Sequence, residues 1–359
     1  MAARAVLEQA RAAGHEAWLQ DMFVLAGSRA SRIVGGGYVG IVKHAPWFFR
    51  FLYRAGAALS SPRHKSPVYQ ANRLMAKRVR AYLRENPCDV IVTTHLFPAE
   101  TLTCLKRRGE LPQPVVAVAT DYTCIPFWEE TECDYYILPH RDLMGEFEKK
   151  GLPKEKLLPL GIPVGGRFAE QRDKREARAA CSLPPDRPAY LVMSGSMGFG
   201  RINVFAAKLL RECTAEEQIV ILCGRNERMR RSLQRQFRGN PQVHAVDFTD
   251  RVADYMDACD VVFTKPGGLT STEAAVKRIP IVHTAPIPGC ETENLRFFEA
   301  HGMSVGEEKM DRQIKAGCRL LRDAAERRRM TQAQQTQINA HAASDLVRFL
   351  EQIGRGQGV

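Results

Sequence analysis

Along the chain, short apolar runs alternate with longer stretches whose apolar residues recur at helical spacing. Residues 89–95 (DVIVTTH), 115–121 (VVAVATD), 134–139 (DYYILP), 189–195 (AYLVMSG), 219–223 (IVILC), 243–248 (VHAVDF) and 261–263 (VVF) have the dense β-branched and aromatic character of buried strands. Residues 17–23 are expected to add one more short strand. Between these runs the pattern predicts helices over 2–12, 69–85, 142–150, 173–180, from near Ile202, over 251–258 and over most of 309–350. Such alternation predicts parallel α/β sheets. A proline- and glycine-rich passage, 157–168, interrupts it and divides the chain into a first domain, 1–163, and a second, 164–359, whose glycine-rich end should fray.

The stretch 260–284, DVVFTKPGGLTSTEAAVKRIPIVHT, reads as a parallel strand, helix and strand. A proline and two glycines end its first apolar run, Thr270, Ser271 or Thr272 is expected to cap the helix, and Glu273 falls in the first turn. Gly267 and Gly268 allow a ligand close to the backbone, and the first amides of a helix carry about half a positive charge, which suits phosphate. Glu273 is then placed to accept hydrogen bonds from two ribose hydroxyls. The same residues also suit a plain tight connection with an acid favoured by the helix dipole.

Other segments add candidates. A second strand, glycine loop and helix around Gly198 offers amides to a diphosphate, and Arg225, after the strand 219–223, reaches a phosphate or a base. His95 and Asp121 end their strands where open α/β sheets bind ligands, positions suited to proton transfer and equally to a structural hydrogen bond or turn. Residues 286–294, PIPGCETEN, are rich in groups that bind sugar hydroxyls.

Charge placement changes the picture more than composition does. The net charge is +12, and twelve basic residues lie between Met22 and Arg84 with no Asp or Glu among them: Arg29, Arg32, Lys43, Arg50, Arg54, Arg63, Lys65, Arg73, Lys77, Arg78, Arg80 and Arg84. Tyr38, Trp47, Phe48, Phe49, Phe51, Leu52 and Tyr53 are interleaved with them, a mixture suited to an anionic membrane surface, where each Lys or Arg adds about 1 kcal/mol. A buried aromatic helix face with solvated arginines would give the same composition. Nucleic acid is not expected as a partner, because the segment has no groove-reading motif. Ten scattered cysteines without a C-x-x-C pair read as a reduced, cytoplasmic chain, with no metal site expected. No apolar run approaches the length of a membrane span, so membrane association is expected to be peripheral, at the inner face of the cell membrane.

The ordered set TTHLFPAE, TDYTCIPFWEETECDYYILPH, LLPLGIPV, MSGSMGFGRI, CGRN, DFTDRVADYMDACDVVFTKPGGLTSTEA and PIPGCETEN resembles the glycosyl diacylglycerol synthase family, the processive diacylglycerol glucosyltransferases and monogalactosyl diacylglycerol synthases, up to about His301. The resemblance implies a GT-B fold, two Rossmann-like domains with parallel sheets facing across a cleft. It implies inverting transfer of a hexose from UDP-glucose or UDP-galactose to diacylglycerol or a glycosyl diacylglycerol. UDP would be met by Arg225 and the backbone near Val246 to Thr249, including Phe248, at the uracil, by Glu273 at the ribose, and by Gly198, Lys265, Gly267, Gly268 and Thr270 at the diphosphate. The hexose would fall to Glu291 and Asn294, and no metal or other cofactor is implied. Relatives open with a strand and a G-G-G-H loop whose His resembles the base that activates the acceptor. MAARAVLEQA aligns just after it. The expectation is therefore either a start upstream of Met1, with Asp121 as partner of that His, or a nucleotide-binding remnant in which Asp121 or His95 acts alone. A cell-wall type of lipid-linked acceptor and an inactive binding protein for UDP-sugar or anionic lipid are the alternative readings.

Overall fold

The structure, a computed structural model, describes residues 1–25, 65–193 and 202–355. Most of the aromatic and basic segment, Arg29 to Arg63, and the loop that carries Gly198 lie outside the described residues. Two compact units divide the chain: Met1–Gly166 with Pro288–Cys290 and His341–Val359, and Arg167–Ile287 with Glu291–Ala340.

In the first unit four parallel strands stand in sequence order, β1 (Ile91–Thr93), β2 (Val115–Val118), β3 (Tyr135–Ile137) and β4 (Leu157–Leu158). Every residue of β2 is buried, as a sheet covered on both faces requires. Two corrections to the sequence reading concern its edges. The first unit ends at Gly166 rather than Pro163, and the C-terminal helix Ala342–Gly354 belongs to it rather than to the second unit. Apolar pairing explains this: Leu346, Val347, Phe349 and Ile353 pack with Val6 of the helix Ala2–Ala12 and with Val116, Val118 and Ile137 of the sheet. Phe349 meets Tyr135 edge-on at 4.9 Å.

The strand expected over 17–23 is not formed. Trp18 and Leu19 are exposed, so they give a strand no core face to rest on, and Met22–Leu25 is a short helix that buries Met22. In place of one helix over 69–85 there are two, Pro67–Arg73 and Ala76–Glu85, parted beside the exposed Leu74. Ser66 begins the first, accepting the Tyr69 N–H at 3.2 Å, and Pro67 fits the first helical position because the N–H it lacks would have no partner there.

The second unit has six parallel strands in the order β10-β9-β8-β5-β6-β7, with β5 (Ala189–Met193), β6 (Gln218–Leu222), β7 (Val243–Val246), β8 (Val261–Thr264), β9 (Ile281–His283) and β10 (Val305–Gly306). The chain winds outward from β5 to β7, returns to the middle at β8 and winds the other way to β10. The junction of β5 and β8 is thus the switch point, the place where open α/β sheets take a ligand. Asp260, just before β8, binds this pair to its surroundings: it accepts the Ala189 N–H at 2.8 Å, Lys174 at 2.6 Å and Arg178 at 2.8 Å.

Beneath the switch point, Phe263 of β8 lies edge-on to Phe205 at 5.1 Å, both wholly buried. Gly317 of the helix Met310–Arg322 meets that ring so closely that a Cβ would fall inside its van der Waals surface. Gly317→Ala is therefore expected to lose about 1–3 kcal/mol through overpacking, despite alanine's better helix propensity. Urea unfolding reads it, and a variant as stable as the parent would show that the ring has room to move.

Candidate functional site

The helix after β8 is Gly268–Val276, with Gly267 at its N-cap and no side-chain cap. This corrects the expected start: Thr270, Ser271 and Thr272 lie inside the helix, and Glu273 lies beyond the first turn. The reason is that the glycines enter the helix instead of remaining in the loop. Thr272 Oγ1 donates back to the Gly268 carbonyl at 2.7 Å, and Ser271 Oγ meets His283 Nε2 of β9 at 2.9 Å. Burial pushes the His283 pKa down to about 3, so this contact is between neutral groups.

The ladder starts with Ser271 N–H on the Gly267 carbonyl at 2.9 Å, which leaves the Gly268, Leu269 and Thr270 amides without intrahelical acceptors. Lys265 and Thr270 are half-buried beside them. The Lys265 ammonium forms no ion pair among the described residues. Uncapped amides and the helix dipole lie at one strand end, three residues after Lys265 in the chain, an arrangement that attracts an anion.

Glu273 is 6% exposed, and nothing among the described residues donates a hydrogen bond to its carboxyl group. Desolvation raises its pKa to about 7. Burying a carboxyl group unpartnered is unfavourable, and ligand hydroxyls would relieve the deficit.

On the other side of β5, Arg225 follows β6 and Phe248 follows β7. The guanidinium stacks on the Phe248 ring at 4.9 Å, and the ring is 59% exposed, an open flat surface suited to a heteroaromatic base. Thr249 Oγ1 accepts the Arg251 N–H at 3.0 Å and fixes the turn into the helix Val252–Ala258. After β9, the Glu291 carboxylate accepts the Ile287 N–H at 2.6 Å and holds the polar turn before the helix Cys290–Ala300. Asn294 is fully buried, and its amide donates to the Pro266 carbonyl at 3.0 Å. It faces the loop rather than solvent.

In the first unit, His95 and Asp121 follow the adjacent parallel strands β1 and β2. His95 is the N-cap of the helix Leu96–Arg107: its Nδ1 accepts the Phe97 N–H at 3.3 Å. In the neutral ring the proton then sits on Nε2, so the nitrogen left over is a donor and not a base. Although the ring reaches solvent, desolvation by surrounding atoms keeps its pKa below the usual histidine range, against the pull of Asp121 and Asp21. The loop after Asp121 is pinned by Glu146, which accepts Thr123 Oγ1 at 2.7 Å and the Cys124 N–H at 2.8 Å. Glu146 stands on the short helix Met144–Lys149, and no local sequence pattern marks it.

Residues 1–164 match the family model described as monogalactosyldiacylglycerol (MGDG) synthase, and residues 189–346 match that of the glycosyltransferase family 28 C-terminal domain. The chain is similar to the processive diacylglycerol beta-glucosyltransferase of Staphylococcus epidermidis, 28% identical over 282 residues that span 79% of this chain and 70% of the relative. With the protein of the same name from Staphylococcus carnosus it shares 32% identity over 228 residues, 63% of this chain and 57% of that one. Among solved structures it is similar to MurG of Acinetobacter baumannii, at 14% identity and a TM-score of 0.57 over 78% of each chain. The UDP co-structure of S. aureus MnaA gives 11% identity and a TM-score of 0.59, over 81% of this chain and 82% of that one. The structural likenesses carry the fold, two parallel-sheet α/β domains of GT-B type.

Proposed function

The chain belongs to the glycosyl diacylglycerol synthase family, and we propose that it transfers a hexose from a UDP-sugar to diacylglycerol or glycosyl diacylglycerol at a membrane surface. The observation that carries the donor assignment is Glu273, a buried carboxyl group without a protein donor, about one turn along the same helix from a set of uncapped amides. A ribose supplies two hydroxyls to the one, and the attached diphosphate reaches the other.

In this reading the uracil rests against Phe248 and Arg225, the ribose hydroxyls donate to Glu273, and the diphosphate lies over Gly267 and Gly268 with the Thr270 amide and Lys265. Gly198, which follows β5 in sequence and lies outside the described residues, is assigned to the same diphosphate by the family resemblance. Glu291 is the remaining polar group for the hexose. The reaction is displacement at the anomeric carbon with inversion: the acceptor oxygen forms the new bond, its proton leaves to a base, and UDP departs with the electron pair of the broken bond. Preorganised amides and the Lys265 ammonium stabilise that developing charge without reorganisation, so the diphosphate needs no metal counter-ion in this reading. Asp121 is a proton acceptor on the first unit, whereas His95 serves as base only by giving up its cap.

The acceptor surface is assigned to the segment running from Trp18 to Arg84. Among the described residues, Trp18, Leu19, Val24 and Leu74 expose apolar side chains, and Arg73, Lys77 and Arg84 are exposed and basic. Arg50→Glu with Arg54→Glu is expected to reduce co-sedimentation with vesicles containing phosphatidylglycerol several-fold at low salt; equal sedimentation would count against this surface. No described helix is long and apolar enough to cross a membrane. Incubation of the protein with radiolabelled UDP-glucose or UDP-galactose and diacylglycerol vesicles tests the activity, a labelled glycosyl diacylglycerol being the expected product. Label appearing only with a polyprenyl-type acceptor would assign the cell-wall alternative, and UDP binding without turnover the inactive one.

A further inference from the structure

Asn294 lies at a place where the structure demands a hydrogen-bond donor. The turn Lys265–Pro266–Gly267 between β8 and its helix presents three carbonyls, and two are taken by the backbone: Lys265 O by the Gly267 N–H at 2.9 Å and Gly267 O by the Ser271 N–H at 2.9 Å. Pro266 O, between them, belongs to no ladder, and Pro266 is buried. Asn294 Nδ2 supplies its donor at 3.0 Å from a wholly buried position on the helix Cys290–Ala300. Because a carbonyl only accepts, the amide must point its nitrogen at Pro266, which fixes the orientation of the side chain. A buried carbonyl stripped of its donor would turn toward water or another donor, and the adjoining peptide planes would turn with it.

We propose that Asn294 is a positioning residue rather than a hexose ligand: it holds the Lys265–Pro266–Gly267 turn so that the Gly268, Leu269 and Thr270 amides face the donor's diphosphate. The inference rests on the UDP-sugar reading above and departs from the sugar contact that the family resemblance assigns to Asn294. Its effect falls on the part that UDP and UDP-hexose share. A direct hexose contact would fall on the sugar alone.

Isothermal titration of UDP and of UDP-glucose or UDP-galactose, with wild type, Asn294→Ala and Asn294→Leu, separates the two. Asn294→Leu keeps the branched heavy-atom shape without the donor, so the test survives if the alanine variant does not fold. We expect both ligands to weaken together by about tenfold, leaving their affinity ratio unchanged. Amide hydrogen exchange at Gly267 and Ser271, whose N–H groups are hydrogen-bonded within the turn, should quicken in the ligand-free variants. Loss of UDP-hexose affinity with UDP affinity intact would overturn the proposal, as would wild-type exchange at those amides. A wild-type chain that fails to bind UDP would instead defeat the donor reading, and the exchange measurement would still decide whether Asn294 holds the turn.

Discussion

Glu273→Gln is expected to bind UDP about ten to a hundred times more weakly than the wild-type chain, since hydrogen bonds to a charged group contribute roughly 1.5–3 kcal/mol. The same variant is expected to be more stable than its parent above neutral pH. Burial raises the folded pKa of Glu273 from 4.5 to about 7. Between those two values the folded chain keeps a proton that the unfolded chain releases. The contribution of this group is therefore complete below the unfolded value and is lost as pH rises through the folded one. At pH 8 the buried charge costs on the order of 3 kcal/mol, from about 1.4 kcal/mol per pKa unit, and glutamine removes that cost. Urea unfolding at pH 5 and pH 8 should show the variant's advantage only at the higher pH.

Binding follows the same titration with the opposite benefit. Ribose hydroxyls donate to the ionised carboxylate, so wild-type affinity for UDP should climb as pH rises through 7 and then level off. The glutamine variant reports the nucleotide's own pH dependence, and the difference between the two curves belongs to Glu273. Equal affinities at pH 8 would remove the ribose from this residue. A site residue whose loss stabilises the fold is what a group kept for a ligand should show.

Lys277→Met is expected to cost about 3–5 kcal/mol, because it leaves a buried carboxylate without its partner. Lys277 Nζ lies 2.6 Å from Asp257, the two side chains are 1% and 3% exposed, and the ammonium also donates to the Glu170 carbonyl. Even with the ammonium in place, desolvation outweighs its pull and raises the Asp257 pKa. Without it Asp257 should take up a proton, so the variant should recover part of its loss on acidification. Asp257→Leu combined with Lys277→Met should return close to wild-type stability, since apolar replacements of a buried pair are often neutral or better. A single variant that melts with the parent would mean that water reaches Asp257.

Neither of these groups announces itself equally in the sequence. Glu273 is legible because it follows a strand, a Gly-Gly pair and a run of hydroxyl residues, an order whose chemistry is local. Lys277 stands beside Arg278 at a helix end, where basic residues are ordinary, and only the packing shows that one is buried and the other exposed. The helix after β8 shows the limit at the scale of a single turn. Its hydroxyl residues look like caps, but the helix begins at Gly268, and Thr272 and Ser271 turn to other partners.

The two ends of the chain show the same limit over a longer range. Residues 17–23 carry a strand-like composition, but Trp18 and Leu19 stay exposed and Met22 begins a helix instead. The helix Ala342–Gly354 follows the second unit in sequence and packs on the first, because its apolar stripe meets Val6 and the sheet there. Phe263 and Gly317, far apart in the chain, fit only as a pair.

By itself the sequence determined the alternation of strand and helix, the parallel sheets, the glycine turn after β8 and the family, because each is written in residue order within one element or motif. Tertiary structure alone decided which polar groups are spent on the protein and which are left for a ligand. Asn294 is used by Pro266, His95 caps a helix, and Glu273 stays without a donor. Burial and hydrogen-bond partnership depend on what distant segments bring to the same place, and no stretch of the chain records that on its own.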